Sequence, residues 1–344
     1  MRFGMNFGMV APQGSGMTWQ SAVQDLLEIA PEMESLGYDS LTLTEHHFQR
    51  DGHNSSPLVT LGAVAAVTER MTIGTDILLA PLYNPVKLAE DVAVLDNISN
   101  GRVVLGIAPG YVPEEFAGLM VPYGERVGRF LETVDILQSA WTQDEFAYDG
   151  KHFQIPLTHL MPKPVQDPHP PIWWGVSGPR LLRLAGERGL IFTASPRHSI
   201  EELEEHLAIY RRAAESVGYV PPAFPVMKGL FVAETREAAE EVAGPAVTHL
   251  FRELYGKNSA SGARRLTNDQ GELVEDMSTV DFETFKDRYL IGTPDDVAQK
   301  ITELRDRIGM TELIAWSQLP GVGGEQVRSS MRLFAREVIP AFAD

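Results

Sequence analysis

Along the chain, short β-branched or apolar runs alternate with longer stretches whose apolar positions recur every three or four residues. Phe3 to Val10 reads as a strand, and Trp19 to Leu36 as an amphipathic helix ending at Gly37 in a left-handed cap. The alternation continues with a strand over Ser40 to Thr44, a helix over Pro57 to Arg70 and a strand over Thr72 to Leu79. Pro85 to Ser99 is a helix with proline in its first turn and Asn100-Gly101 as its stop, followed by the strand Arg102 to Ala108. A helix over Glu125 to Trp141, a strand over Ile172 to Val176 and a helix over Pro179 to Arg188 come next. Leu190 to Ala194 and Val226 to Ala233 read as strands, with helices over Ile200 to Val217 and Thr235 to Leu254. Helix Pro294 to Arg307, strand Glu312 to Trp316 and helix Glu325 to Val338 complete the series.

Read together these make eight strand–helix units. Short connections between them predict a parallel sheet with right-handed crossovers. Eight units predict an α/β protein closed into a single (β/α)8 TIM barrel, whose core takes about 250 residues. The rival, an open doubly wound sheet, lacks its mark, since no GxGxxG follows the first strand. Two insertions account for extra length. Residues 146–155 have the look of a hairpin turning at Asp149-Gly150, and the polar, Gly- and Ser-rich segment 256–281 reads as a mobile loop of the lid kind. No linker or repeat divides residues 1–344, which are expected to form one domain.

Composition narrows the partners. The 344 residues carry 29 Lys and Arg against 47 Asp and Glu, a formal charge of −18, which argues against nucleic acid and anionic membrane surfaces. Cysteine is absent, so disulfides, thiolate metal sites and cysteine nucleophiles are excluded. No apolar run is long enough to span a membrane, and the opening MRFGMNFGMV lacks a signal-peptide layout, so a cytoplasmic enzyme is expected.

Four stretches could carry chemistry. Thr44-Glu45-His46-His47-Phe48 leaves the second strand, where a barrel has its active-site mouth. A paired His-His suggests a metal, but neighbours on an extended segment point to opposite sides, so no metal site is expected. A buried hydrogen-bonded pair is the plain alternative, and a proton-handling His46 the chemical one. The segment from Asn84 to Tyr111 is mainly a strand–helix joint. Trp173 to Arg180 ends a strand and begins a helix with Ser177, Gly178 and Pro179, a plausible phosphate cradle or a plain serine cap. Arg126, Arg129 and Arg180 lie near helix starts, where they either meet a phosphate or face solvent.

In order and spacing, RFGMNFG, LTEHHF, the NP…LAEDVAVLDNISNGR block, EFAGLMVPYGERVGRFLETVDIL and WWGVSG resemble the bacterial luciferase-like family of flavin-dependent oxidoreductases. The resemblance implies a barrel with flavin at its C-terminal mouth. Oxygenase members take reduced FMN from a separate flavin reductase, form a flavin C4a-hydroperoxide with O2 and oxygenate a small organic substrate. By resemblance His46 is the catalytic histidine, with Glu45 and Phe48 lining the same pocket. Thr75, Asp76 and Ile77 match the backbone under the flavin ring, with a cis peptide between Asp76 and Ile77. Arg126 matches a phosphate contact, Val176, Ser177 and Gly178 fall in the phosphate loop, and Ser195 matches a polar position after the sixth strand. His47 is expected to face away from the flavin, in packing.

The chain also departs from that pattern. Luciferases carry Cys-Arg where this sequence has Ala108-Pro109, and a carboxylate where it has Val176, so light emission is not expected. A deazaflavin-dependent hydride transferase and a non-catalytic flavin-binding protein are the alternatives within the superfamily; deazaflavin enzymes often show an Asp-His pair where this chain has Glu45-His46. A homodimer, formed through the helices after the second and third strands, is a further expectation of the resemblance. The identity of the organic substrate is not written in the sequence.

Overall fold

A computed structural model describes residues 1–10, 17–50, 52–255 and 266–343. Its first four strands are β1 (Arg2–Phe7), β2 (Ser40–Leu43), β3 (Thr72–Leu79) and β4 (Val103–Ala108). A separate antiparallel hairpin follows, β5 (Glu145–Asp149) with β6 (Gln154–His159). The remaining strands are β7 (Ile172–Gly175), β8 (Ile191–Thr193), β9 (Pro225–Val232), β10 (Leu290–Gly292) and β11 (Glu312–Trp316). Nine strands form one curled parallel sheet in the order β10-β9-β11-β1-β2-β3-β4-β7-β8. A parallel bridge between Ala194 and Val226 joins the end of β8 to β9, with Ala194 N–H donating to Pro225 O and Met227 N–H to Ala194 O.

Helices cover the outside of this sheet. They are α1 (Trp19–Ser35), α2 (Pro57–Val67), α3 (Pro85–Ser99), α4 (Pro113–Gly118) and α5 (Arg126–Thr142). After the hairpin come α6 (Pro179–Glu187), α7 (Ile200–Ser216), α8 (Arg236–His249), α9 (Pro294–Ile308) and α10 (Gly324–Glu337). Strand residues read as near-continuous buried runs, all eight of β9 included, because the sheet is covered on both faces. Among the described residues no helix is long and apolar enough to cross a membrane.

Several boundaries differ from the sequence pattern for identifiable reasons. The first strand stops at Phe7 because Met9 turns to φ +50° and gives its N–H to Gln318 Oε1, 2.9 Å away. The helix expected to run to Leu254 ends at His249 and continues as a π-helical turn over Leu250–Tyr255. Short α4 and β10 carry too few residues to show a periodicity and were not expected.

Part of the expected mobile loop, 256–265, lies outside the described residues. The rest is not the coreless segment its composition suggested, since Leu266 and Val280 are both buried. Buried Arg288 holds it in place, donating to Thr267 O at 2.6 Å and to Asp269 Oδ1 at 3.1 Å. One fixed guanidinium supplies the order that the polar sequence lacks.

The third strand breaks register against β4 between Thr75 and Leu78. Two glycines make room for that irregularity. A Cβ at Gly106 would stand 2.2 Å from Thr75 O, and one at Gly175 would stand 1.6 Å from Ile77 Cδ1. Gly106 faces unyielding backbone, so Gly106→Ala should destabilise the fold by about 1–3 kcal/mol, the range for overpacking. Urea denaturation of parent and variant checks this; an unchanged midpoint would show that the bulge moves freely.

Candidate active site

The C-terminal ends of the strands gather most of the residues singled out above. Thr75 Oγ1 donates to Gly106 O at 2.7 Å, and Asn6 Nδ2 donates to Asp76 O at 3.1 Å and Thr42 Oγ1 at 2.9 Å. The Asp76–Ile77 peptide between these supports is cis, as the resemblance implies. Its far side is fixed from β2, where Glu45 N–H donates to Ile77 O at 3.1 Å.

Glu45 is buried and acts as the joint between β2 and β3. Leu79 N–H donates to its Oε2 at 2.6 Å, while the Tyr83 hydroxyl and His47 Nε2 both donate to Oε1 at 2.7 Å. Burial, then the Glu45 charge and hydrogen bond, raise the Tyr83 hydroxyl far above its usual range. For His47 burial acts downward, but the hydrogen bond and charge of Glu45 with the charge of Glu115 outweigh it, so its pKa is raised. His47 is thus tied to the frame by an ion-paired hydrogen bond, a tighter role than packing alone.

His46 turns the other way. Its Nδ1 lies 2.8 Å from Glu115 Oε1, and the same oxygen accepts from His47 N–H at 3.0 Å. A carboxylate only accepts, so Nδ1 is the donor and Nε2 of the neutral ring carries the lone pair. Nε2 has no protein partner among the described residues, and the ring is mostly but not wholly buried. It stands between His53 and Tyr111, edge-on to each with centroids 5.3 and 6.0 Å away. Burial first, then the Glu115 charge, push the Tyr111 hydroxyl up to about 12, with Arg197 acting the other way.

A second corner lies where β7 meets α6. Gly178, not Ser177, is the N-cap, and no side chain caps the helix. Pro179 has no N–H and Leu181 and Leu182 donate to Gly178 O, so the amides left over are those of Ser177, Gly178 and Arg180. A Cβ at Gly178 would meet nothing within 4 Å, which leaves open space in front of those amides. An anionic phosphate fits such a start. Val176 is buried and Ile77 packs on Gly175, so the end of β7 is apolar, which suits an aromatic ring system.

The other expected residues have the following partners and exposure. Arg126 donates to Tyr123 O at 3.2 Å and lies over the Tyr123 ring; no hydrogen bond joins it to Ser177 or Gly178 among the described residues. Arg129 donates to Pro81 O, and Arg180 is exposed. Phe48 is 64% exposed and packs over Gly118 instead of lining an enclosed pocket. Ser195 is half-buried, its carbonyl accepting from His198 N–H. Among the described residues, no group of three or more His, Asp or Glu is placed to hold a metal. A surface groove of about 670 Å3 beside α8, lined by Glu240, Gly244, His249 and Phe282 among others, shares none of these residues.

Glu115, Asn6 and Tyr83 were missed by sequence reasoning. Glu115 sits on α4, and the Pro113-Glu114-Glu115 start, proline then acid in the first turn, was the available signal. Asn6 and Tyr83 carry no local signal, because their partners are 70 and 38 residues away.

Asp76 itself is buried among neutral groups. Burial and, less, the Glu312 charge push its carboxyl up to about 8, although the Thr193 hydroxyl 3.4 Å away acts downward. An unfolded aspartate titrates near 3.9, so the folded protein alone holds this proton from about pH 4 to 8. Its stabilisation is full below that window and lost as pH rises through it. The stability difference between parent and Asp76→Asn should therefore shift against the parent from pH 5 to pH 8 and level off above. Denaturant titrations at those pH values measure it, and a pH-independent difference would mean the carboxyl ionises normally.

Comparison with known proteins identifies the family. The model of the luciferase-like monooxygenases matches residues 5–312. The oxygenase component of flavin-dependent trigonelline monooxygenase from Acinetobacter baylyi is 25% identical over 338 residues, 95% of this chain and 92% of that one. An F420-dependent glucose-6-phosphate dehydrogenase from Nakamurella multipartita is 33% identical over 189 residues, 53% of this chain and 55% of its own. In structure, monooxygenase RslO1 from Streptomyces bottropensis superposes with a TM-score of 0.87 at 25% identity, covering 100% of both chains. The chain belongs to the luciferase-like monooxygenase family, whose curled parallel sheet it shares, and it is an oxidoreductase of that family.

Proposed function

We propose that this enzyme is the oxygenase component of a two-component monooxygenase that uses reduced FMN and O2 to oxygenate a small organic molecule. On this reading the chain is one domain, and its sheet is a closed (β/α)8 barrel to which β10 is an addition. A flavin reductase would supply the reduced cofactor, as the name of the trigonelline enzyme, an oxygenase component, suggests by analogy. Bound reduced flavin supplies the electrons that activate oxygen. The rest is done by the chain. The amides at Ser177 and Gly178, with Arg126, would hold the phosphate, and the Thr75-Asp76-Ile77 backbone with Val176 and Ser195 would seat the ring. His46 would hold or deliver a proton at Nε2 beside it.

The observation that carries this reading is the His46–Glu115 contact of 2.8 Å. It fixes which imidazole nitrogen is free and aims a single proton-handling group from a rigid frame. A deazaflavin-dependent hydride transfer is the second reading, favoured by the half-length resemblance to the F420-dependent dehydrogenase. The full-length flavin-dependent relative weighs towards FMN.

Loading the protein with reduced FMN or reduced deazaflavin and mixing it with O2 in a stopped-flow instrument separates the two. FMN should bind and give a transient absorbance before oxidised flavin appears. With His46→Ala, that transient should shorten and turnover fall about 10²–10⁴-fold, as for a lost acid–base group. Glu115→Gln should show a smaller loss in the same direction. A transient as long-lived in His46→Ala as in the parent would remove the histidine from the mechanism.

We also infer a homodimer. Helices α2 and α3 leave Val59, Val67, Val94 and Ile98 exposed, the first at 77%, on the surface the resemblance points to. Sedimentation velocity should give a dimer for the parent and a monomer for a Val59→Glu, Ile98→Glu double variant. A parent that sediments as a monomer at micromolar concentration would refute it.

A further inference from the structure

Arg197 follows β8 half-buried, and its guanidinium makes no hydrogen bond or ion pair with any described residue. Among the described residues the other arginines without a side-chain partner, Arg50, Arg70, Arg180 and Arg212, are all exposed. Its backbone is pinned, since its carbonyl accepts from Arg288 Nη1 at 2.7 Å. A fixed, partly desolvated cation left unpaired in a chain of net charge −18 calls for an acceptor.

Its surroundings say where that acceptor lies. In this parallel sheet Arg197, four residues past the end of β8, lies at the same C-terminal end as His46, three past β2, and Tyr111, three past β4. The Tyr111 ring stands edge-on to His46, and its hydroxyl is acted on by the Arg197 and Glu115 charges. No ion pair or hydrogen bond joins Glu115 to the arginine: its Oε1 is engaged by His46 Nδ1 and His47 N–H, and its buried Oε2 has no partner among the described residues. On the other flank of His46 stands His53, beside the Trp316 indole. A Cβ placed on Gly8 would lie 4.0 Å from His53 Cδ2 and 4.0 Å from Trp316 Nε1. That indole N–H is buried and has no partner. The nearby amide oxygen of Gln318 is already taken by Met9 N–H. Guanidinium and indole can only donate, and both stand at the C-terminal end of the sheet, Arg197 after β8 and Trp316 at the end of β11, without an acceptor among the described residues.

We propose that Arg197 anchors a carboxylate of the organic substrate, which lies over His46 with the Trp316 N–H as a second donor. The planar fork of arginine suits a carboxylate better than a neutral acceptor. The mouth would thus select compact organic acids over their neutral counterparts. This rests on His46 marking the reaction site. The flavin phosphate is the other oxyanion that could reach Arg197, and the test separates the two.

Ligand-observed NMR would compare matched pairs, benzoate with benzamide, nicotinate with nicotinamide and cyclohexanecarboxylate with its amide, on the full chain with and without FMN. In the parent, acids should bind better than their amides. Arg197→Gln should weaken the acids about ten- to hundredfold and leave the amides unchanged, the cost of one charge-assisted contact. Arg197→Lys should keep part of the preference, and Trp316→Phe should weaken acids and amides alike. FMN and riboflavin affinities, followed by fluorescence, should be the same in Arg197→Gln as in the parent. The proposal falls if no acid outbinds its amide, or if the preference survives in Arg197→Gln. It also falls if that variant loses affinity for FMN but not riboflavin, which would make Arg197 a phosphate contact. An Arg197-dependent acid preference in a protein that binds no FMN would keep the anchor and refute the flavin reading instead.

Discussion

The site depends on one buried carboxylate. Glu45 accepts from Leu79 N–H, the Tyr83 hydroxyl and His47 Nε2, and its own N–H donates to Ile77 O. A buried carboxylate is costly unless its lone pairs are used, and here three donors use them. Because those donors come from the end of β3, from the turn after it and from the loop after β2, the bonds lock two strand ends at one point. Each donor left unpaired by its removal would cost about 1–3 kcal/mol. The loss would fall on the frame, with the chemistry affected through it.

From that joint two side chains diverge. His47 is drawn back into the frame, so the next residue along the extended segment must project the other way. Glu115 then catches His46 at Nδ1 and also takes the His47 amide, so one carboxylate oxygen fixes both the ring and the backbone that carries it. The two acids have parallel roles on adjacent histidines, one turned inward and one outward. This explains how neighbouring histidines that cannot share a ligand can still be one device.

The hydrophobic alternation showed the barrel-like order of strands because each strand is buried on both faces and each long helix on one. Those are the conditions in which periodicity reports position. Thr72–Leu79 and Pro85–Ser99 have the ends the pattern assigns. Glu45, His46, Ser177 and Gly178 were legible because they leave strand ends. Glu115 was not, because its helix is six residues long and its partner is 69 positions away. Asn6 lies inside a strand whose alternation says only that it is buried; its bond to the Asp76 carbonyl is a property of the closed sheet. The loop beyond Leu266 misled for the same reason, since the charge that orders it, Arg288, belongs to a later segment.

The departure at Ala108-Pro109 acquires a physical sense in this frame. In a luciferase-like site with an arginine there, cationic side chains would surround the phosphate. Here the end of β4 is small and apolar, and Ala108 Cβ stands 3.7 Å from where a Cβ on Gly175 would be. Proline adds no donor. An anion seated at that corner would therefore meet backbone amides ahead of α6, which bring partial charge and direction, with Arg126 as the one cation proposed to reach it. Arg197, one strand further round, is a half-buried cation that no described protein group neutralises. If the corner takes the cofactor phosphate and Arg197 takes a substrate acid, as proposed, the two oxyanions would be sorted by how much charge each site needs. On the proposed reading a flavin phosphate would be held together with its ring, over Ile77 and Val176, and so would not need Arg197. A small acid has little apolar surface to bury, and the uncompensated guanidinium is the stronger hold.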